Sequence, residues 1–145
     1  MQVTIVARTR MARGACIGAI ADDGRSLRLI APDMAFNEHF NADYRVGQVW
    51  EIAADPAEEI KPPHTENVVV RRKRLVGWAD DLPGLIARHM PPHEGGLNTL
   101  YDGFLQHKGA GPIYVAEAGG VPSYSTTFWR PDRPLRRNTD SKRIH

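Results

Sequence analysis

A chain of 145 residues makes one ordinary domain or two very small ones, which excludes a large multidomain enzyme. Hydrophobic residues at 41% and charged residues at 25% suffice for a core, while 13 glycines and 11 prolines favour short elements joined by turns over long helices. A net charge of +2 announces no polyanion partner by itself, and a lone cysteine, Cys16, excludes a disulfide framework or a cysteine-rich zinc site.

The opening Gln2-Val3-Thr4-Ile5-Val6-Ala7-Arg8 alternates, with Val3, Ile5 and Ala7 on one face and Gln2, Thr4, Val6 and Arg8 on the other. That is the pattern of a half-buried strand, whose outer face Arg10 continues. After a turn at 11–14, residues 15–21 read as a strand of small residues. Asp22-Asp23-Gly24-Arg25 is a hairpin signal, because glycine accepts the positive φ that tight turns demand. Residues 26–31 form a third strand, with Leu27 and Leu29 opposite Arg28, and Pro32 ends it. A helical turn is expected near 35–40. Residues 46–53 resume strand character, an acidic loop runs through Pro62-Pro63-His64, and residues 66–70 lead as a fifth strand into Arg71-Arg72-Lys73-Arg74.

The second half changes character. Residues 80–90 predict a short helix with acidic residues at its start and Pro91-Pro92 stopping it. A second short helix is expected around 97–106, a strand at 112–117 and a turn at Gly119-Gly120. From Ser123 the chain mixes aromatic residues, proline and arginine. The fold class is therefore mainly β with short helices: a small five-stranded barrel of the oligonucleotide-binding (OB) type, or an SH3-like one, over residues 1–78. Residues 79–145 form a smaller mixed α/β subdomain, a helical insert, a strand and a basic-aromatic tail packing on the barrel. The start of the chain lacks a signal-peptide pattern and no apolar run approaches membrane-spanning length, so a cytoplasmic protein without membrane contact is expected.

Charge is unevenly placed. Residues 1–28 hold five basic and two acidic groups, 29–66 two basic and eight acidic, and 123–145 six basic and two acidic, with the tetrabasic run between. Fifteen of the 19 cations are arginine, the planar multidentate donor suited to phosphate, although a GC-rich genome produces the same bias.

Several stretches carry a family likeness: Ala7-Arg8-Thr9-Arg10, then Asp23 through Pro32, then Val46-Gly47-Gln48-Val49-Trp50-Glu51-Ile52, then Pro63-His64-Thr65-Glu66-Asn67-Val68. They resemble the N-terminal half of the bacterial dual-OB-containing domain family, and Phe128-Trp129-Arg130-Pro131 resembles its later motif. The resemblance implies a barrel-based, non-enzymatic module connected with nucleic acid. Two complete barrels need a longer chain, so the second is expected to be incomplete, degenerate or finished by another chain.

The leading chemical candidate is a surface for single-stranded or structured nucleic acid, or for a nucleotide. Such a ligand needs cations along its phosphates and flat side chains under its bases. Arg8, Arg10 and Arg28 fall on the outer face of the strand meander, Arg71, Arg72 and Arg74 follow the fifth strand, and Trp129 and Arg130 lie in the tail. These eight residues are the expected nucleic-acid site. The plainer reading is that the tetrabasic run guards a sheet edge against pairing. Trp50 and Trp78 are expected in the core. The alternative function is a protein-interaction or assembly module, for instance a homodimer in which acidic segment 51–66 meets basic tail 123–145.

No metal or other cofactor is expected. His89 and His93 are four apart, but Pro91-Pro92 breaks the helix that would align them, and His39, His64 and His107 lack ligand spacing. Cys16 sits in an apolar strand as a small hydrophobe. No serine occupies a nucleophile elbow, the carboxylate pairs Asp22-Asp23, Glu58-Glu59 and Asp80-Asp81 suit turns and helix starts, and no glycine loop has a phosphate-cradling context. No catalytic residue is assigned.

Overall fold

The computed structural model describes residues 1–11, 14–33, 37–107 and 113–134. Five strands, β1 (Gln2–Arg10), β2 (Ala15–Ala21), β3 (Ser26–Ile30), β4 (Gln48–Pro56) and β5 (Asn67–Trp78), close into a barrel in the order β1-β2-β3-β5-β4. β1, β2 and β3 form the antiparallel meander. β3 runs parallel to β5, and β4 pairs antiparallel with both β5 and β1, so the sheet has no free end. A one-turn helix, α1 (Asn37–Phe40), lies in the β3–β4 connection. This is the topology of an OB barrel.

Alternation sets the core. Val3, Ile5, Ile17, Ala19, Leu27, Leu29, Trp50, Ile52 and Val70 point inward from all five strands, joined by the fully buried Tyr44, whose ring meets Trp50 edge-on at 5.0 Å. The buried Gln48 side chain accepts from Trp50 Nε1 at 3.0 Å and from the Arg45 amide at 2.7 Å, which removes the cost of an unpaired amide oxygen. The hairpin between β2 and β3 turns at Gly24, whose φ of +87° explains the glycine there.

Three sequence expectations change. Ile5 pairs with Ala19 but Ala7 pairs with Gly18, so Val6 is an extra residue in a β-bulge, and it is buried rather than outward. β5 does not end at Val70 but continues through the whole tetrabasic run to Trp78, paired with β4 throughout. Trp78 is 62% exposed and not a core residue, because β5 has run past the end of the core by that point.

After the barrel, α2 (Leu82–His89) is capped by Asp81, whose carboxylate accepts from the Gly84 amide at 2.9 Å. The expected helix at 97–106 is a 3-10 segment, Leu97–Gly103, kinked by the left-handed Tyr101 and Asp102. Short strands β6 (His93–Gly95), β7 (Leu105–His107), β8 (Ile113–Val115) and β9 (Trp129–Pro131) make two two-stranded sheets, β6 with β9 and β7 with β8. Among the described residues the only closed barrel is the first, and no helix is long and apolar enough to cross a membrane. The turn around Arg13 and the tail beyond Pro134 lie outside the described residues.

Candidate ligand-binding site

The eight residues expected to bind nucleic acid are spread over four places. Arg28 lies on the outer face of β3, opposite Gly18 and Asn67. Its guanidinium donates to Nδ1 of His64 at 2.6 Å and lies 3.5 Å from Asn67 Oδ1 and 3.4 Å from Cys16 Sγ. Burial and the Arg28 charge both hold the His64 imidazole below its usual range, against the opposing pull of Glu66, which keeps it a neutral acceptor. Arg8 and Arg10 do not share that face. The Val6 bulge shifts the phase of β1 by one residue, so Arg8 pairs with the core residue Ile17 and Arg10 with Ala15, on the inward side of the wall where β1 has outrun β4.

The tetrabasic run is divided by its strand. Arg72 and Arg74 stand opposite Ala53 and Glu51 on the outer face, while Lys73 stands opposite the core residue Ile52. Arg71 and Arg74 are occupied by carboxylates of β4, Arg71 bonding Asp55 at 2.9 Å and Arg74 bonding Glu51 at 3.0 Å through Nε. Arg8, Arg10 and Arg72 form no ion pair with a described residue. Trp129 and Arg130 sit on β9, where Trp129 Nε1 donates to the Gly95 carbonyl at 2.9 Å and Arg130 bonds Glu94 at 2.5 Å. A single continuous arginine groove is not formed.

The structure instead builds a cleft of about 740 Å³ between the barrel and the C-terminal segment. One wall is the start of β3 with Arg25 and Leu27; a second is the β4–β5 connection and the start of β5, with Ile60, Thr65, Glu66 and Val68; the third carries Met90, His93, Tyr124 and Thr126. Tyr124 makes stacked contacts with His93, centroids 6.0 Å apart at 18°, and with Tyr101, 5.9 Å at 23°. Its hydroxyl donates to Asp102 at 3.3 Å, and burial followed by the Asp102 charge raises its pKa. Of the expected set, Arg28 lies next to the cleft through its neighbour Leu27 and its partner Asn67, both of which line it, and Trp129 adjoins it through its strand partner His93.

Three contacts hold the C-terminal segment against the barrel. Glu66 Oε1 accepts from both the amide and the hydroxyl of Ser125 at 2.8 Å, and Glu66 Oε2 is buried without a partner. Thr65 Oγ1 donates to the Ser123 carbonyl at 2.5 Å. Thr126 rests on Gly18, where a Cβ would come within 3.0 Å of its methyl group. The segment therefore lies on the strand 2–3 face. The residues missed from sequence, Tyr124, His93, Tyr101 and Glu66, carry no local motif; the dipeptide Pro91-Pro92 that ends α2 was the nearest signal. Among the described residues no group of three potential metal ligands is gathered.

A family model described as a dual OB-containing domain matches residues 1–145. The chain belongs to the dual OB-containing domain family. No curated protein and no solved structure matches it. Membership in a family built on OB barrels points to a binding module, since OB barrels receive ligands on the strand 2–3 face and at the loops joining strands 1–2 and 4–5. In this dual-OB chain the cleft occupies part of that ground, bounded by β3 and by the loop joining β4 to β5.

Proposed function

We propose that this dual-OB chain is a non-enzymatic module that binds a nucleotide, or the end of a single-stranded nucleic acid, in the cleft between the barrel and the C-terminal segment. The observation that carries the reading is the cleft itself: about 740 Å³, within the range of small-ligand sites, walled by the Tyr124 and His93 rings and bordered by Arg25 and Arg28. Flat rings offer a surface to a base, each stacked base contributing about 1–3 kcal/mol, and the two arginines offer charge to its phosphates. The basic blocks on β5 and β9 do not line this cleft. Arg25, which does, also holds Asp23 at 2.7 Å, an exposed pair of little strength.

The test is calorimetric titration of the chain with nucleoside mono- and triphosphates and with short single-stranded DNA and RNA. Two phosphate contacts give a slope of log affinity against log salt of about −1.4 for a single strand. Tyr124→Ala removes about 1–3 kcal/mol of binding, and Arg28→Ala flattens the salt slope by about one contact's worth. An affinity unmoved by Tyr124→Ala, or a flat salt response in the unaltered chain, refutes the proposal.

A further inference from the structure

Arg28 is fixed on the barrel wall without a counter-ion. It is half-buried, and its guanidinium is held by the His64 imidazole at 2.6 Å, the Asn67 amide oxygen at 3.5 Å and the Cys16 sulfur at 3.4 Å. It forms no ion pair with a described residue. A cation drawn partly out of water is costly unless an anion is placed beside it. The loop that carries its partner is tied to the same strand, since the Arg28 amide donates to the Glu66 carbonyl at 2.8 Å, so the guanidinium and the His64 ring keep their places relative to each other. The His64 side chain is exposed, and with burial and the Arg28 charge holding it neutral it stands one proton short of being a second cation.

We infer that Arg28 and His64 form a proton-linked subsite for a terminal phosphate monoester, at the edge of the cleft marked by Asn67, which bonds Arg28 and lines the cleft. The inference rests on the cleft reading above and names the group that reads the phosphate. When the anion arrives, the imidazole takes up a proton and stops accepting from Arg28, and both groups donate to phosphate oxygens. Asn67, with Oδ1 turned to Arg28, keeps its amide hydrogens for a further oxygen. A monoester carries a charge of about −1.5 to −2 near neutral pH, which matches a guanidinium plus an imidazolium. An internal phosphodiester has only one charge to offer them. The titratable and charged groups around the pair are Cys16 of β2 and, in the β4–β5 connection, Lys61 and Glu66, with Arg25, His93 and Tyr124 across the cleft. Glu66 favours the imidazolium while its Oε1 is engaged by Ser125, and Lys61 is turned to Glu59 at 3.4 Å. Affinity for the anion therefore rises by about tenfold per pH unit as pH falls through the range where His64 charges only in the complex. It levels off once the ring is charged in the unliganded chain as well.

Sulfate is the first probe, because its own charge does not change near neutral pH and every proton counted belongs to the protein. Calorimetry of the full chain in buffers of different ionisation enthalpy should record uptake of up to about one proton on binding. NMR of the imidazoles should show the His64 ring titrating at higher pH with sulfate than without, a measurement that needs no variant. Proton uptake should vanish in His64→Gln, and Arg28→Gln should weaken sulfate binding by at least about tenfold, circular dichroism confirming that both stay folded. A nucleoside monophosphate and an oligonucleotide bearing a terminal phosphate should show the same uptake, and the tighter of the two identifies the source of the phosphate. The matching nucleoside should bind without uptake, which reads the rest of the cleft alone. No sulfate binding, a His64 titration unmoved by sulfate, or proton uptake that survives His64→Gln overturns the inference and leaves the cleft reading standing. Absence of nucleoside binding with the sulfate response intact strikes the base-stacking part of the cleft reading and upholds the phosphate subsite.

Discussion

Lys73 is the cation whose removal should be felt most. Only 14% of its side chain is exposed, and its ammonium stands 4.5 Å from the Phe40 ring centroid, 4.5 Å from that of Tyr44 and 5.4 Å from that of Trp50. It also donates to the Phe40 carbonyl and to Asp43 at 3.2 Å. A desolvated cation over an aromatic ring contributes up to about 2 kcal/mol, and a charged hydrogen bond about 1.5–3 kcal/mol, against the cost of burying the charge. Lys73→Met keeps the packing of the stem while deleting the charge and leaving the Phe40 carbonyl without its donor. A net loss of about 2 kcal/mol is expected, which for a chain of this size lowers the melting temperature by about 4–8 °C. Arg74→Gln is the control one residue away: its ion pair with Glu51 is exposed, and its removal should cost at most about 1 kcal/mol. Urea denaturation of both variants at low and high salt makes the comparison, the Lys73 effect persisting in salt and the Arg74 effect fading. If Lys73→Met costs no more than Arg74→Gln, the ammonium does not hold α1 and the Tyr44 loop to the barrel.

Further outcomes follow from the contacts around the cleft. Gly18→Val drives a branched side chain into Thr126 and the Ala7 methyl, so it should destabilise by about 1–3 kcal/mol and expose the chain near Thr126 to limited proteolysis; unchanged protection would contradict the docking. The folded chain keeps His64 neutral to lower pH than the unfolded chain does, so the unfolded state takes up that proton first. This stability is present above the ordinary value of 6.5 and is lost as pH falls through the lowered one, and His64→Gln should remove that part of the pH dependence measured by denaturation between neutral and mildly acidic pH. Gly24→Ala should destabilise both through its positive φ of +87° and because the new methyl would come within 2.6 Å of the His89 ring; stability equal to the parent would argue against contact between the hairpin and α2.

The barrel was legible because it rests on local signals. Alternation in Val3–Ile5, the glycine of the β2–β3 turn and the proline after β3 each report their own few residues, and the succession of five strands follows from them; the parallel pairing of β3 with β5 and the closure of β4 on β1, which distinguish the OB barrel from an SH3-like one, do not. The bulge at Val6 was not legible, since it exists only relative to the register of β2. Its effect was large, for it moved Arg8 and Arg10 off the face of Arg28 and dissolved the expected platform. Trp78 misled for a related reason: apolar neighbours mark a core strand only as far as other strands accompany it. The cleft escaped notice because its walls come from residues as distant as Leu27, Glu66 and Tyr124, none with a distinguishing spacing.

The seat of Thr126 on Gly18 gives the chain a tethered occupant for its own barrel face. Any long polymer seeking to thread over β2 competes with a strap present at high effective concentration, whereas a compact molecule entering from the side of β3 meets no such rival. Under the proposed function, clipping or loosening that strap would open the β2 face beside the cleft to extended strands.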